Sequence, residues 1–441
     1  MHHSHQQQRD RRARLIAEMR AQSGGGIAAV PTAPEAVRNA DTLYPYRPDS
    51  HCYYLSGFPE PEAVVVLIAG HEAGDSRQIL FCRDKNPERE IWDGFRYGPD
   101  AAREIFAFDE ALPISELAAR LVDWTCDRPA LYTPRGLYPA WDQTITTTLN
   151  EVRNRVRTGV AAPEAVVDVR GLIAAMRVVK DTAELKLMRR AAEISSDAHR
   201  RAMQRTRPGW FEYQVEAELA HEFLRSGAQA VAYPSIVASG PNACVLHYRE
   251  NNRQAQASDL LLIDAGCEFQ GYAADITRTF PVGGKFSGTQ RAVYELVLAA
   301  QLACIDSVQP GRPFHDYHQV AERVVAQGLI DLKLCEGTLD AVLESGAYKQ
   351  FYMHRAGHWL GLDVHDVGLY RVGGESRLLE PGMVLTVEPG CYIRPADKVP
   401  EEFWDIGVRI EDDVLVTAVG NEILTAATPK TIADVEAACV R

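Results

Sequence analysis

The stretch LLLIDAGCEFQGYAADITRTFPV, residues 260–282, decides the fold. An apolar run, LLLI, ends on Asp264. A few residues around 268–271 read as a hairpin turn, and a second strand follows with Asp275, Thr277 and Thr279 on one face. A carboxylate that ends or interrupts an apolar run is costly unless a positive group compensates it. The pattern recurs downstream. Glu388 follows MVLTV and shares a face with Thr386 and Val384, while Glu411 sits in VRIEDDV and shares one with Arg409 and Asp413. Ahead of both, HRAGHWLG supplies His358. Taken singly, each acid reads as a turn residue or a paired charge, and His358 as a hydrogen-bonded core histidine. Taken together, Asp264, Asp275, His358, Glu388 and Glu411 are a ligand set for two hard divalent cations. Such a set suits Mn²⁺, Co²⁺ or a Zn²⁺ pair better than a thiolate-bound metal. Paired cations of this kind point to a metal-activated hydrolase. Asp412 and Asp413, beside Glu411, read as solvent-exposed.

Working outward, helical patterns precede both groups of strands. One opens at an Asp181 or Thr182 cap and runs to the Pro208-Gly209 break. A second spans roughly 212–224 and ends before Gly227, making an αα-hairpin. A further pair, about 290–308 and 314–329, flanks the Pro310-Gly311 break. Strands follow at 383–393, 406–416 and 421–425. Helix pair and acid-bearing strands thus alternate twice, which predicts two similar halves around a central site.

The first part of the chain mixes a short helix (9–19), a buried β-branched strand (62–70), a strand (78–84), a helix (115–124) and a strand (130–134), the pattern of an α/β domain. The boundary falls within 168–180, giving domains 1–175 and 176–441. Most of the aromatic set Tyr44, Tyr46, Tyr53, Tyr54 and Trp92 reads as core. His2, His3 and His5 read as part of a disordered tail rather than a metal tract.

The 441 residues are 46% hydrophobic and 24% charged, with a formal net charge of −13. That acidity, with no dense Lys/Arg stripe after residue 20, speaks against nucleic-acid binding. No apolar run approaches the ~20 residues of a membrane span, and the basic N-terminus lacks the apolar segment of a secretory signal. Nine cysteines without a CxxC speak against disulfides and a zinc-thiolate site, and fit a reducing cytoplasm.

Longer strings carry a resemblance. YPSIVASGPNACVLHY (233–248), LLIDAGCEFQGYAADITRTFPV (261–282), HWLGLDVHDVG (358–368), EPGMVLTVEPGCYI (380–393) and GVRIEDDVLVT (407–417) resemble the proline-specific "pita-bread" metallopeptidases, and among them bacterial Xaa-Pro aminopeptidases. DTLYPYRPDSHCYYLSGFPEPEAVVVL (41–67) and EIWDG (90–94) extend the resemblance through the N-terminal half. It implies an α/β N-terminal domain followed by an α+β pita-bread (creatinase/aminopeptidase) catalytic domain with pseudo-twofold halves. It also implies two metal ions, Mn²⁺ in bacterial members. Asp275 and Glu411 would bridge them, Asp264 would hold one, and His358 with Glu388 the other. Glu388 would move the proton from water to the leaving proline nitrogen. His247 and His365 would hold the substrate and its oxyanion, and His354 would line the proline-side pocket. Arg409 would pair with a carboxylate near the metals or touch substrate. Asp363 and Thr277 would orient ligands. The N-terminal domain would restrict access and build a dimer or tetramer, with Trp92 a candidate substrate wall. Expected substrates are peptides with an Xaa-Pro N-terminus. The competing readings are a prolidase limited to Xaa-Pro dipeptides, a non-catalytic binding module on this fold, and a metal-independent creatinase-like hydrolase.

Overall fold

The computed structural model describes residues 5–70 and 72–439. The chain divides into two compact units, Met1–Met176 and Arg177–Arg441.

The N-terminal unit is built on a mixed six-stranded sheet. Its spatial order is Glu110–Pro113, Arg77–Cys82, Val64–Ala69, Gly26–Pro31, Ala130–Thr133 and Ala165–Asp168. The central strands Gly26–Pro31 and Val64–Ala69 are antiparallel and buried along their whole length, which explains their unbroken apolar sequences. The outer pairs are parallel. Leu117, Leu121, Trp141, Ile145 and Leu149 from two helices cover one face against Ile27, Val66 and Phe81. The N-terminal helix, Gln6–Ser23, is longer than its sequence pattern, and Arg11 and Arg12 lie buried on its packed face with Leu15, Ile16 and Met19. Arg12 donates to Gln78 Oε1 and to the carbonyls of Leu55 and Ala107. His5 packs its ring on Phe106; His2 and His3 lie outside the described residues. The aromatic set does not form a core: Tyr54 is buried, Tyr46 and Tyr53 are partly exposed, and Tyr44 and Trp92 are exposed. The half-buried Tyr46 turns its hydroxyl inward to buried Thr32, 2.7 Å away.

The C-terminal unit repeats one arrangement twice. The first helix pair is Thr182–Arg205 and Glu212–Arg225, and the second is Gly288–Ser307 and Asp316–Asp331. Asp181 caps the first helix, with Glu184 closing a capping box. Each pair is followed by acid-bearing strands. One three-stranded sheet orders Ile236–Ser239, Leu260–Asp264 and Thr277–Pro281; the other orders Val384–Val387, Asp412–Val416 and Asn421–Ile423. Gly390–Ile393 and Ile406–Arg409 pair beside them. A single core that includes Leu261, Tyr294, Tyr317, Trp359 and Leu385 joins helices to strands.

The 260–282 segment is more elaborate than one hairpin. Leu260–Asp264 and Thr277–Pro281 pair antiparallel, with Asp264 opposite Thr277. Between them Cys267–Phe269 and Tyr272–Ala273 form an inner hairpin that belongs to another sheet. Its two-residue turn, Gln270-Gly271, has both φ positive, the geometry that suits a twisted hairpin. At Gly266 the two arms cross so closely that a Cβ would lie 1.8 Å from the Ala274 carbonyl oxygen. This crossing brings Asp264 and Asp275 to one place.

Candidate metal centre

The sequence-predicted ligands converge on a cavity of about 1020 Å³. Asp264, Asp275, His358, Glu388 and Glu411 all line it, with His247, His354, His365 and Arg409. Ligating atoms of Asp275, His358 and Glu411 lie within 4.8 Å of one another. His358 Nε2 is 3.5 Å from Asp275 Oδ2 and 3.8 Å from Glu388 Oε1. The other ring nitrogen, Nδ1, is 3.0 Å from the Trp359 carbonyl oxygen, which fixes it as an N–H donor and turns Nε2 to the carboxylates, where a cation would displace its proton. Thr277 Oγ1 donates to Glu411 Oε2 at 2.6 Å. Arg409 spans the floor: Nη2 donates to Asp264 Oδ2 at 2.6 Å, Nε to Thr277 Oγ1 at 3.1 Å and Nη1 to Tyr392 OH at 3.0 Å.

The electrostatics of these side chains test whether a cation fits them. Four carboxylates share one buried place with Arg409 as their fixed positive charge. Burial pushes Glu388 up to about 7, with Asp275 and Asp264 adding to the rise. Burial and the charges of Asp275, Glu388 and Asp264 push Glu411 well above the carboxylate range. Asp264 rises as well, chiefly from burial, although Arg409 opposes the shift. Asp275 moves the other way: burial disfavours its charge, but His358, Tyr233 and Arg409 together outweigh burial and hold it low. His358 is correspondingly raised to about 9 against its own burial. Carboxylates this crowded hold protons more tightly unless a cation replaces them, and with oxygen donors and one imidazole the set is a hard-cation site by composition.

Around this centre stand three histidines. His354 accepts from Tyr392 OH through Nε2 (2.8 Å) and donates from Nδ1 to the Arg355 carbonyl (2.7 Å). Burial, with Arg409 nearby, lowers it to about 3, so its ring is neutral. The His365 ring meets that of His358 edge to face, centroids 4.2 Å apart. Burial and the His358 charge lower the His365 pKa. His247 and His365 are both exposed. Asp363 stands back from the ligands and takes a bond from Arg177 Nη2 at 2.8 Å.

The sequence reading of two acids is corrected. Asp412 and Asp413 are buried, at 0% and 1% exposure. Asp412 is held by Arg278 Nη2, Gln301 Nε2, Lys430 Nζ and Thr425 Oγ1, each at 2.7 Å. Asp413 accepts from the Asp275 backbone N–H. The ladder breaks between Ile406–Arg409 and Asp412–Val416, so Glu411 turns to the cavity while both aspartates enter the core. Trp92 belongs to the N-terminal unit, on the short helix Pro87–Asp93, where it is 82% exposed. One important group escaped the sequence reading. Tyr233 OH donates to Asp264 Oδ1 at 2.7 Å and also to Asp275 Oδ1. Its only sequence signal is its place at the head of the 233–248 string.

Comparison with known proteins agrees with this geometry. Residues 186–418 match the model of metallopeptidase family M24, and residues 8–132 match the aminopeptidase P N-terminal domain. The chain is 44% identical to the Xaa-Pro aminopeptidase of Escherichia coli, over 99% of this chain and 98% of that protein. The chain belongs to the Xaa-Pro aminopeptidases of metallopeptidase family M24. Its structure superposes on the Pseudomonas aeruginosa aminopeptidase PepP with a TM-score of 0.96, at 49% identity and covering 99% of this chain and 98% of that one. A zinc-substituted E. coli aminopeptidase P in complex with product matches at 0.95 and 43% identity, with the same coverage. The fold is therefore an aminopeptidase P N-terminal domain with a pita-bread catalytic domain, and the centre binds divalent metal. No described helix is long and apolar enough to cross a membrane.

Proposed function

We propose that this M24 aminopeptidase removes the first residue from peptides with proline in second position, and that two divalent cations, Mn²⁺ first, act in the step. The carrying observation is the convergence of five donor residues and three histidines on one cavity, in a chain similar from end to end to Xaa-Pro aminopeptidases. Asp275 and Glu411 would hold both cations, Asp264 one, and His358 with Glu388 the other. When bound, the cations supply Lewis acidity for the scissile carbonyl and make a water acidic enough to attack at neutral pH. Glu388 takes the proton from that water and delivers it to the proline nitrogen. His247 and His365 donate to the oxyanion as it develops. His354, held neutral and tied to Tyr392, lines the side that receives proline. Arg409 favours the ionised form of Asp264 against its burial and holds Thr277 in place. The free N-terminal amine meets the carboxylates of the centre, which restricts cleavage to the first bond. Trp92 is proposed as an aromatic contact for the peptide, a cytoplasmic location suits nine cysteines with no CxxC among them, and a dimer or tetramer is the proposed assembly.

Three assays test this reading. Ala-Pro-Ala should turn over at least tenfold faster than Ala-Pro; turnover of the dipeptide alone makes the enzyme a prolidase. A panel of Xaa-Pro-Yaa peptides with Mn²⁺, Co²⁺ and Zn²⁺ assigns the metal. Glu388→Gln should retain metal and lose roughly 10²–10⁴-fold in kcat. Normal turnover by that variant removes Glu388 from proton transfer.

A further inference from the structure

Glu212 opens the helix Glu212–Arg225 and is fully buried. Among the described residues no lysine or arginine side chain pairs with it. Its charge is met by neutral donors from four residues. Ser239 N and Oγ donate to Oε1 at 2.7 Å each, with Asn242 Nδ2 at 3.1 Å. Tyr248 OH and Arg253 N donate to Oε2 at 2.7 and 2.9 Å. All four belong to one excursion of the chain, which leaves the strand Ile236–Ser239 and returns at Arg253. A second tie closes the same excursion: Asn251, at φ +44°, accepts from Val237 N at 3.0 Å and donates to the Ser235 carbonyl at 2.9 Å.

His247 lies within this excursion and faces the cavity. No hydrogen bond holds its ring among the described residues. Its neighbour Tyr248 is buried and pinned to Glu212. The backbone of His247 is thus fixed one residue away, and its ring stays free for substrate. A buried carboxylate is expensive, and a helix start needs only a small polar cap. What this carboxylate returns is the shape of the His247 loop.

We infer that Glu212 is a positioning residue, which through Tyr248 holds His247 where the oxyanion forms. The inference rests on the role given to His247 above. The test measures kcat and KM for Ala-Pro-Ala, with metal content and thermal midpoint, for Tyr248→Phe and Glu212→Gln in the wild-type and His247→Ala backgrounds. His247→Ala alone should lower kcat roughly 10²-fold. Tyr248→Phe, which keeps the ring and removes one donor, and Glu212→Gln should each lower kcat roughly tenfold with KM within about twofold. In the His247→Ala background each should add less than about twofold, because the group they position is gone. Should Glu212→Gln fail to fold, Tyr248→Phe decides alone. Wild-type kcat in Tyr248→Phe, or an equal loss in both backgrounds, overturns the inference while leaving the role of His247 intact. Wild-type turnover in His247→Ala removes that role and the positioning with it.

Discussion

Asp412→Ala should be among the most destabilising substitutions near the centre that touch no proposed ligand. The residue is fully buried and ionised between Arg278, itself 0% exposed, and Lys430, with Gln301 and Thr425 completing its bonds. Removing one partner of a buried ion pair costs about 3–5 kcal/mol, since the other charge is left without compensation. For a unit of this size 1 kcal/mol moves the midpoint about 2–4 °C, so a fall of roughly 6–20 °C is expected by scanning calorimetry. The pH dependence has a definite sign. Burial disfavours the Asp412 charge, but Arg278 and Lys430 outweigh it and hold the carboxyl well below its usual range. A depressed native pKa stabilises above the unfolded value, near 3.9, and that stability is lost as pH falls toward the native value. The gap between wild type and Asp412→Asn should stay constant from about pH 7 to 5 and close below about pH 4. Arg278 also donates to the Glu411 carbonyl at 2.5 Å, so metal content should fall with stability. A change within about 0.5 kcal/mol, the usual effect of a solvated surface acid, would refute the reasoning.

Metal binding near pH 6.5 should release protons, because burial raises Glu388 to about 7 and the cation competes for its carboxylate; a binding enthalpy independent of buffer would contradict this. Gly266→Ala should abolish metal binding or folding, since its Cβ would meet the Ala274 carbonyl oxygen at 1.8 Å and force Asp264 and Asp275 apart; full metal content by elemental analysis counts against that account. Eight of the nine cysteines are buried, and burial pushes Cys82 and Cys304 up to about 12. A thiol reagent should therefore modify about one equivalent, Cys126, in the native protein. Rapid reaction of several thiols would show the packing to be looser than described.

How much of this was legible in the sequence depended on range. Helix caps, the 270–271 turn and apolar strands rest on neighbours, and Asp181 or the Leu260–Asp264 run announce themselves locally. The proposed carboxylate ligands drew attention because Asp264 and Glu388 close apolar runs at visible cost, whereas His358, outside any strand, gave no such signal. Asp412 and Asp413 were misread because their compensation comes from Arg278, Lys430, Thr425 and the Asp275 backbone, none adjacent in sequence. Strand alternation also fails at Ile410 and Glu411, where the ladder is interrupted. Tyr233 and Glu212 carry no periodic signal: one hydroxyl shared by two aspartates and one carboxylate inside a loop become visible only when the chain is folded. The aromatic residues at 44–54 look like core by composition, yet only Tyr54 is buried and Tyr44 is exposed.

The division of ligands between the two halves has a consequence in time. Asp264 and Glu411 lie about 150 positions apart, one at the end of the strand Leu260–Asp264 and the other in the break between Ile406–Arg409 and Asp412–Val416. At roughly 5–20 residues per second of synthesis, about 7–30 s separate their appearance. Until His358 is made the first half offers two aspartates and no opposing donors, and Glu388 and then Glu411 complete the proposed set only at the end of that interval. The chain is therefore inert toward neighbouring nascent N-termini until its last strands dock, and the order of the gene doubles as a delay on its own activity.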